Sequence, residues 1–217
     1  MIIVVHNHKG GIGKTTLTAH MAFRANVLGI KCLVVTLDRQ GDLLRWFPGA
    51  EKDPKKVFKL GNITVVYSPD QMPPQDILDA YPLVLVDTPP KEGVPAMVNP
   101  GLWVAQIDNR TAVENLATVL PEFLKQAPVY LVFYRADVGG ELMLRGLQDA
   151  ARTLKQVEFC PLVLENAPST ARAQYNYKPV WEVPWGKGTD AAKDMIELCD
   201  LIFKRAGVLG DGRKASR

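Results

Sequence analysis

Apolar residues along this chain fall into short runs that alternate with segments of helical periodicity. The runs are mostly apolar and rich in β-branched residues, which is typical of parallel strands buried on both faces. They comprise Ile2–Val5, Cys32–Leu37, Ile63–Tyr67, Leu83–Val86, Leu102–Ile107, Val129–Phe133 and Phe159–Leu164. Helical spacing predicts helices over Leu17–Leu28, Thr111–Gln126, Glu141–Leu154 and Thr189–Ala206. This alternation predicts an α/β fold, a doubly wound and mostly parallel sheet flanked by helices in a single domain.

The segments outside this pattern are predicted to be exposed. Glu51 to Lys59 is a charged stretch expected to form a solvated excursion, and Pro69 to Pro74 a loop or short helical entry. From Gly207 onward the chain is rich in glycine and basic residues. We therefore expect a folded domain over residues 1–206 and a flexible basic tail over 207–217.

The first strand runs directly into a glycine-rich turn followed by a helix. Such a turn presents free backbone N–H groups at a helix N-terminus, where the helix dipole also favours an anion. Glycines allow the backbone to wrap closely around a phosphate, the following lysine reaches the β- and γ-phosphates, and the next hydroxyl can bind Mg²⁺. The residues predicted to hold a nucleotide phosphate are Gly10, Gly11, Ile12, Gly13, Lys14, Thr15 and Thr16, with Thr15 as a Mg²⁺ ligand.

Two further strands end in an aspartate. Asp87 follows the run Leu83–Val86, and in phosphate-loop enzymes an acid at this position supports Mg²⁺ beside the loop hydroxyl. Asp38 follows the run Cys32–Leu37 and would face the crevice at the carboxyl ends of the strands. There it would orient an attacking water or hold the hydration shell of Mg²⁺, and the alternative for an isolated aspartate is a helix cap.

Composition narrows the class of protein without naming a partner. The chain has 217 residues, of which 47% are hydrophobic and 23% charged, as in ordinary globular proteins. With 26 basic and 23 acidic residues, the net charge of +3 is too small to imply a partner. The three cysteines have apolar neighbours, which predicts core thiols, and no segment indicates a membrane span or signal peptide. We expect a cytoplasmic protein.

Three motifs resemble those of the ParA/MinD family of phosphate-loop ATPases. Lys9 to Thr16, Lys-Gly-Gly-Ile-Gly-Lys-Thr-Thr, is similar to the family's deviant Walker A loop, with Lys9 as its signature lysine. Asp87-Thr88-Pro89-Pro90 matches switch II. Leu37 to Asp42 resembles the D-x-D-P-Q-G switch I, with Asp38 on the second aspartate, although Thr36 replaces the first aspartate and Arg39 the proline. The segment from Ala171 to Ile202 resembles the family's closing stretch.

The resemblance implies a small ParA-type ATPase that partitions or positions DNA or other cargo. ATP and Mg²⁺ would be its cofactors, and Lys9, Lys14 and Asp38 its catalytic residues. Lys9 would cross to the partner's nucleotide, which makes the protein a homodimer when ATP is bound. Asn166 and Pro168 lie where relatives shape the base pocket, with a plain loop as the alternative. A ParB-like adaptor protein would be a partner, and nucleoid association follows if the host is bacterial.

Direct binding to non-specific DNA is a further expectation. It is based on the cations near the end of the chain, Lys193, Lys204, Arg205, Arg213, Lys214 and Arg217. The alternative is a set of ordinary solvated charges. A dimer would double the set on one body, so DNA affinity would rise with dimerisation.

Other functional classes fit the sequence less well. A MinD-like ATPase that positions itself on membranes would need a C-terminal amphipathic helix, and residues 207–212 are too rich in glycine for one. No membrane partner is therefore expected. A relative of the nitrogenase iron protein would need cluster-binding cysteines at a dimer axis, and the apolar surroundings of these cysteines give little support. A binding module without hydrolysis would have no need of Asp38.

Overall fold

The coordinates are a computed structural model that describes residues 1–50, 57–69, 71–90, 99–108, 110–135, 156–165 and 168–210. Eight strands form one sheet: β1 (Ile2–Val5), β2 (Cys32–Thr36), β3 (Phe58–Leu60), β4 (Ile63–Tyr67), β5 (Leu83–Asp87), β6 (Leu102–Ile107), β7 (Val129–Arg135) and β8 (Val157–Glu165). The helices are α1 (Lys14–Val27), α2 (Gln75–Asp79), α3 (Arg110–Gln126), α4 (Pro168–Ala173) and α5 (Asp190–Arg205). Short 3₁₀ turns cover Asp42–Trp46 and Gln174–Asn176.

The strand order confirms the predicted doubly wound sheet. It runs β3-β4-β2-β5-β1-β6-β7-β8, and every neighbouring pair is parallel except β3 with β4. The first strand is therefore central, with β5 on one side and β6 on the other. Because parallel strands end at the same edge of the sheet, the segments that follow β1, β2, β5 and β6 meet at one rim.

Alternate residues of the central strands build two separate apolar cores. Ile3 and Val5 of β1 pack in the core that contains α1 and α5, whereas Val4 packs in the core that contains α3. Strand residues with period two must face opposite sides of a sheet, so covering helices are needed on both. The cysteines Cys32, Cys160 and Cys199 are all buried, which confirms that they are core thiols.

The segment before β4 differs from the sequence prediction. Residues 57–59, the end of the predicted solvated excursion, were expected to be exposed loop, but Phe58–Leu60 pairs antiparallel with β4 through a turn at Gly61 and Asn62. Glycine followed by asparagine between apolar runs is a hairpin signal, and Gly61 has the positive φ of 57° that this turn requires. The rest of the predicted excursion, residues 51–56, lies outside the described residues, as does the predicted helix Glu141–Leu154.

The last strand, and the packed structure that follows the last helix, also extend beyond their predicted bounds. β8 begins earlier than expected, and its pairing with β7 shifts register between Leu131 and Phe133, opposite the stretch that contains Pro161. An edge strand tolerates a proline because one side of its backbone needs no partner. The tail was expected from residue 207, yet Val208 and Leu209 donate backbone hydrogen bonds to Phe203 O, and Leu209 is buried. Packed structure therefore continues to Leu209, and residues 211–217 lie outside the described part.

One buried histidine joins α1 to the segment before α5. His20 accepts the backbone N–H of Val180 at Nε2 (3.0 Å), so its proton lies on Nδ1, which donates to Thr16 O at 2.7 Å. The ring sits edge-on between Trp46 and Trp181. Burial lowers the pKa of His20 to about 4 from an ordinary value of 6.5. The neutral imidazole is thus part of the folded structure.

This histidine predicts a loss of stability in mild acid. Above pH 6.5 His20 is neutral in both the folded and the unfolded state. Between pH 6.5 and about pH 4 it is protonated in the unfolded state but stays neutral in the folded state. The free energy of unfolding should fall by about 3 kcal/mol across this range from His20 alone. Urea unfolding of the parent and of His20→Gln at several pH values measures the difference in slope. Parallel pH profiles for the two proteins would contradict the assignment.

Candidate functional site

The glycine-rich turn after β1 forms an open cradle at the N-terminus of α1. Gly11 and Gly13 have positive φ angles of 75° and 87°, which L-residues with a side chain rarely adopt. Gly13 precedes the first residue of α1, and no side chain caps the first turn of that helix. The first N–H groups of the helix are therefore available to an anion, as the sequence predicts.

The loop hydroxyl and the aspartate of β5 lie in direct contact. Val5 pairs with Asp87 in the sheet, so the loop that follows β1 begins beside the end of β5. Thr15 Oγ1 donates a hydrogen bond to Asp87 Oδ2 at 3.0 Å. Asp87 is 1% exposed, and its other oxygen, Oδ1, has no hydrogen-bond partner among the described residues. Burial raises the pKa of Asp87 to about 7, despite the opposing effects of the Thr15 hydrogen bond and of Lys14.

The residues present here fit a Mg²⁺ ion. Magnesium takes hard oxygen ligands, keeps several waters, and is commonly held by one or two carboxylates together with substrate phosphates. Thr15 Oγ1 and the unpartnered oxygen of the buried Asp87 carboxylate supply such ligands. Within the described ranges there is no group of three or more His, Cys, Asp and Glu side chains that could hold a metal alone. In such a site, substrate phosphates and waters would complete the coordination of the metal.

Lys14 connects the loop with both aspartates. Its side chain is 6% exposed, and Nζ donates to the carbonyl of Lys9 at 2.9 Å. Burial lowers the pKa of Lys14, whereas Asp87 and Asp38 act in the opposite direction. A desolvated ammonium attracts a phosphate strongly because the low local dielectric magnifies the attraction. The two carboxylates repel the same phosphate, so a cation bound between them would strengthen phosphate binding.

Asp38 reaches the same cavity from β2. It lies just after Leu37 at the strand end, and its Oδ1 accepts the backbone N–H of Gln40 at 2.9 Å. The cavity has a volume of about 460 Å³ and is lined by Gly10, Gly11, Gly13, Lys14, Thr15, Thr16, Asp38, Gln40, Asp42, Arg45, Trp46, Thr88, Pro90 and Gln174. The structure thus brings the predicted loop, switch I and switch II together around one cavity. Gln40, Arg45, Trp46 and Gln174 are lining residues without a predicted role.

Sequence reasoning missed the contacts beneath the loop. Asn7 Nδ2 donates to Gln106 O at 2.5 Å, and Asn7 Oδ1 accepts the N–H of Lys9 at 3.0 Å. Gln106 Nε2 lies 3.4 Å from Gly13 O. Lys9 itself forms an ion pair with Asp108 at 2.6 Å. The sequence signal that could have pointed to these contacts is Gln106, a polar residue inside the otherwise apolar run that forms β6.

A second missed contact joins the loop to switch II. The Thr88 hydroxyl donates to Val5 O at 2.9 Å, so its oxygen accepts from His6 Nδ1 at 2.6 Å. The His6 ring packs edge-on against Trp103 and Phe123. These bonds fix Thr88, the second residue of switch II, to Val5, the last residue of β1.

The two residues predicted to border the base, Asn166 and Pro168, follow β8. Asn166 lies outside the described residues, and Pro168 is the first residue of α4, a position that suits proline because it needs no N–H partner. Gln174, just after α4, lines the cavity and approaches Asp42 O at 3.5 Å. The segment that follows β8 therefore borders the site, while the predicted roles of Asn166 and Pro168 remain predictions.

Comparisons with known proteins agree with this geometry. A family model described as the CobQ/CobB/MinD/ParA nucleotide binding domain matches residues 3–204. The chain belongs to this family. It is a ParA/MinD-type phosphate-loop ATPase domain, as its sequence motifs indicate. A search of curated protein sequences gives no match.

Solved structures share the fold over nearly the whole chain. The septum site-determining protein MinD of Pyrococcus horikoshii OT3, complexed with Mg-ADP, is 18% identical with a TM-score of 0.67, covering 97% of this chain and 98% of its own. A putative plasmid partition protein of Borrelia burgdorferi B31, bound to AMPPNP, is 14% identical with a TM-score of 0.67, covering 94% and 98%. The ParA of pNOB8, bound to nonspecific DNA, is 17% identical with a TM-score of 0.62, covering 92% and 98%.

The site predicts a strong dependence of nucleotide binding on Lys14. Lys14→Ala removes a buried cation that would form charge-assisted bonds with phosphates, so ATP should bind at least about tenfold more weakly. Titration with a fluorescent ATP analogue measures the dissociation constant. Lys59→Ala, which removes the same charge from the exposed edge strand β3, is the matched control and should bind like the parent. Equal affinity in Lys14→Ala and the parent would overturn the assignment of the loop.

Proposed function

We propose that this chain is a Mg²⁺-dependent ATPase that dimerises in ATP and partitions or positions DNA or other cargo. The observation that carries this proposal is the contact between Thr15 and Asp87 beneath a phosphate cradle, with Lys14 buried beside it. This arrangement supplies an anion site, a place for a divalent cation and an adjacent carboxylate on a third strand. Those are the parts that phosphoryl transfer from ATP to water needs.

The proposed reaction is attack of water on the γ-phosphorus of ATP. The oxygen of water forms a new bond to phosphorus, the bond to the β–γ bridging oxygen breaks, and ADP and phosphate leave. Mg²⁺, when bound at Thr15 and Asp87, would neutralise the charge of the β- and γ-phosphate oxygens. The loop N–H groups and Lys14 hold the phosphates in place, and Asp38 orients the water. Catalysis on this scheme comes from positioning and charge stabilisation.

Lys9 gives the proposed site its dependence on a second copy of the chain. Its side chain is 30% exposed, and in this structure it contacts Asp108 of its own protomer, not the cavity. As the signature lysine of the family, it would extend to the nucleotide of the partner. A cation supplied in trans makes the phosphates of ATP part of the interface, so the dimer forms with ATP and separates after hydrolysis.

DNA binding has mixed support from the charges of this chain. The proposal draws on pNOB8 ParA, whose structure contains nonspecific DNA. Of the cations expected to contribute, Lys193 pairs with Asp190 at 2.8 Å and Arg205 with Glu158 at 2.7 Å, while Lys204 is exposed. Residues 211–217, which hold the others, lie outside the described part. A monomer would neutralise few phosphates, so DNA binding should require the dimer.

The remaining functional proposals concern partners and location. A ParB-like adaptor that stimulates hydrolysis and an association with the nucleoid belong to the same hypothesis. Membrane positioning is the alternative function, because structures of MinD resemble this chain as closely as those of partition proteins. None of the helices in the described ranges is long and apolar enough to cross a bilayer.

The first prediction of this proposal separates binding from chemistry at Asp38. Asp38→Asn keeps an oxygen that can accept the Gln40 N–H but removes the negative charge, so the switch I turn should persist. Mg·ATP should bind as in the parent, while the hydrolysis rate falls by about a hundredfold. Single-turnover phosphate release, with the exposed Asp76→Asn as control, measures this rate. A parent-like rate in Asp38→Asn would exclude Asp38 from the reaction.

The second prediction tests DNA as the cargo together with the proposed role of Lys9 at the partner's nucleotide. Random-sequence duplex DNA should be bound in ATP but not in ADP, and the affinity should fall steeply as salt rises. Lys9→Ala should bind ATP yet stay monomeric and leave DNA free. A mobility-shift titration at several salt concentrations, run beside sedimentation of anionic vesicles, measures both. DNA binding that is equal in ATP and ADP would contradict the mechanism, and binding to vesicles alone would replace it with membrane positioning.

A further inference from the structure

The signature lysine is held on its own protomer by a carboxylate from β6. Lys9 Nζ lies 2.6 Å from Asp108 Oδ2, and the two side chains are 30% and 23% exposed. Asp108 directly follows β6, the strand that pairs with β1 on the side opposite β5. Neither the loop motif nor the two switch motifs contains this residue.

Hydrogen bonds between side chains and the backbone fix the segments that carry Lys9 and Asp108. Asn7 accepts the N–H of Lys9 and donates to the carbonyl of Gln106, so the start of the loop is tied to the end of β6. Gln106 also approaches Gly13 O at 3.4 Å, at the other end of the loop. Lys9 and Asp108 are therefore brought together by a hydrogen-bonded frame, unlike a pair of long side chains that meet on an open surface.

Asp108 depends on this lysine for its charge balance. Its second oxygen, Oδ1, is buried and has no hydrogen-bond partner in the part of the chain that the structure describes. A partly buried carboxylate that loses its cation keeps an uncompensated charge at reduced hydration, which is unfavourable. Withdrawal of Lys9 therefore has a cost that an exposed lysine would not have.

We propose that Asp108 is a positioning residue that retains Lys9 in cis and thereby sets the threshold for nucleotide-dependent dimerisation. The inference rests on the proposed function, in which Lys9 reaches the partner's nucleotide. Formation of each dimer would break two Lys9–Asp108 ion pairs, one in each protomer. The γ-phosphate of ATP adds negative charge that competes with Asp108 for Lys9, and ADP offers less of this charge. The cost of breaking the Lys9–Asp108 pair is the same with either nucleotide. The ADP-bound protein therefore stays monomeric at concentrations where the ATP-bound protein dimerises.

The test is the dimer dissociation constant of the full chain in Mg²⁺ with AMPPNP or ADP. Sedimentation velocity over a range of protein concentrations avoids turnover during the measurement. Asp108→Asn removes the charge that retains Lys9, and the dimer should tighten about tenfold in either nucleotide, from about threefold for each of the two pairs. Asp108→Glu keeps the carboxylate and should restore parent behaviour. Asp190→Asn, at an exposed ion pair in α5, makes the same charge change and should have no effect.

A second readout examines the contact in the monomer. Acylation of the Lys9 amine, followed by mass spectrometry without nucleotide, should be faster in Asp108→Asn than in the parent, whereas Lys59 should react equally in both. Thermal unfolding confirms that the variants are folded. An unchanged or weaker dimer in Asp108→Asn, with a parent that dimerises in AMPPNP, overturns this inference and leaves the proposed function intact. A parent that stays monomeric in AMPPNP at every concentration overturns both.

Discussion

The parallel pairing of β1 with β5 is the constraint on which the site depends. It sets Val5 opposite Asp87, and the loop that leaves β1 then returns Thr15 to within 3.0 Å of the Asp87 carboxylate. A shift of one residue in this register would turn Asp87 to the other face of the sheet. The apolar residues of both strands, buried on both sides, make such a shift costly. Core packing thus determines the geometry of a polar site at the rim.

The same packing removes charged groups of the site from water. Asp87 and Lys14 are both desolvated, and burial shifts the pKa of each towards its neutral form. A phosphate beside Lys14 and a divalent cation beside Asp87 would supply opposite charges, so the site favours binding of both together. This interpretation also explains why Lys14 turns to the carbonyl of Lys9 here: a buried ammonium needs an acceptor. The carbonyl occupies the role that a phosphate oxygen would take.

Much of the fold and the centre of the site follow from local sequence signals. Mostly apolar runs between turn residues predict the strands, and Ile2–Val5, Ile63–Tyr67 and Leu102–Ile107 match the structure end to end. The glycine-rich loop and the aspartate that ends β5 can be recognised from residue type and spacing. The strand Phe58–Leu60 was harder to predict, because three residues are too few to show a periodicity. The Gly-Asn turn that follows is the local signal for this strand.

The contacts that hold the loop could not be read from the sequence. Asn7 with Gln106, and Lys9 with Asp108, are separated by 99 residues in each case and meet only because β6 takes the place beside β1. No local pattern specifies which strand becomes that neighbour. The same holds for His20 and Val180, which are 160 residues apart. Sequence therefore predicted the groups that would touch the nucleotide and missed those that position them.

The most direct test of the account is a crystal structure of the chain grown with AMPPNP and Mn²⁺, with anomalous data collected for the metal. The account predicts phosphates on the N–H groups of residues 10–16 and an anomalous peak beside Thr15 Oγ1, with Asp87 reaching the metal directly or through one water. It further predicts that Lys14 has moved from the Lys9 carbonyl to a phosphate oxygen. A nucleotide bound elsewhere, or a metal peak away from Thr15 and Asp87, would contradict it.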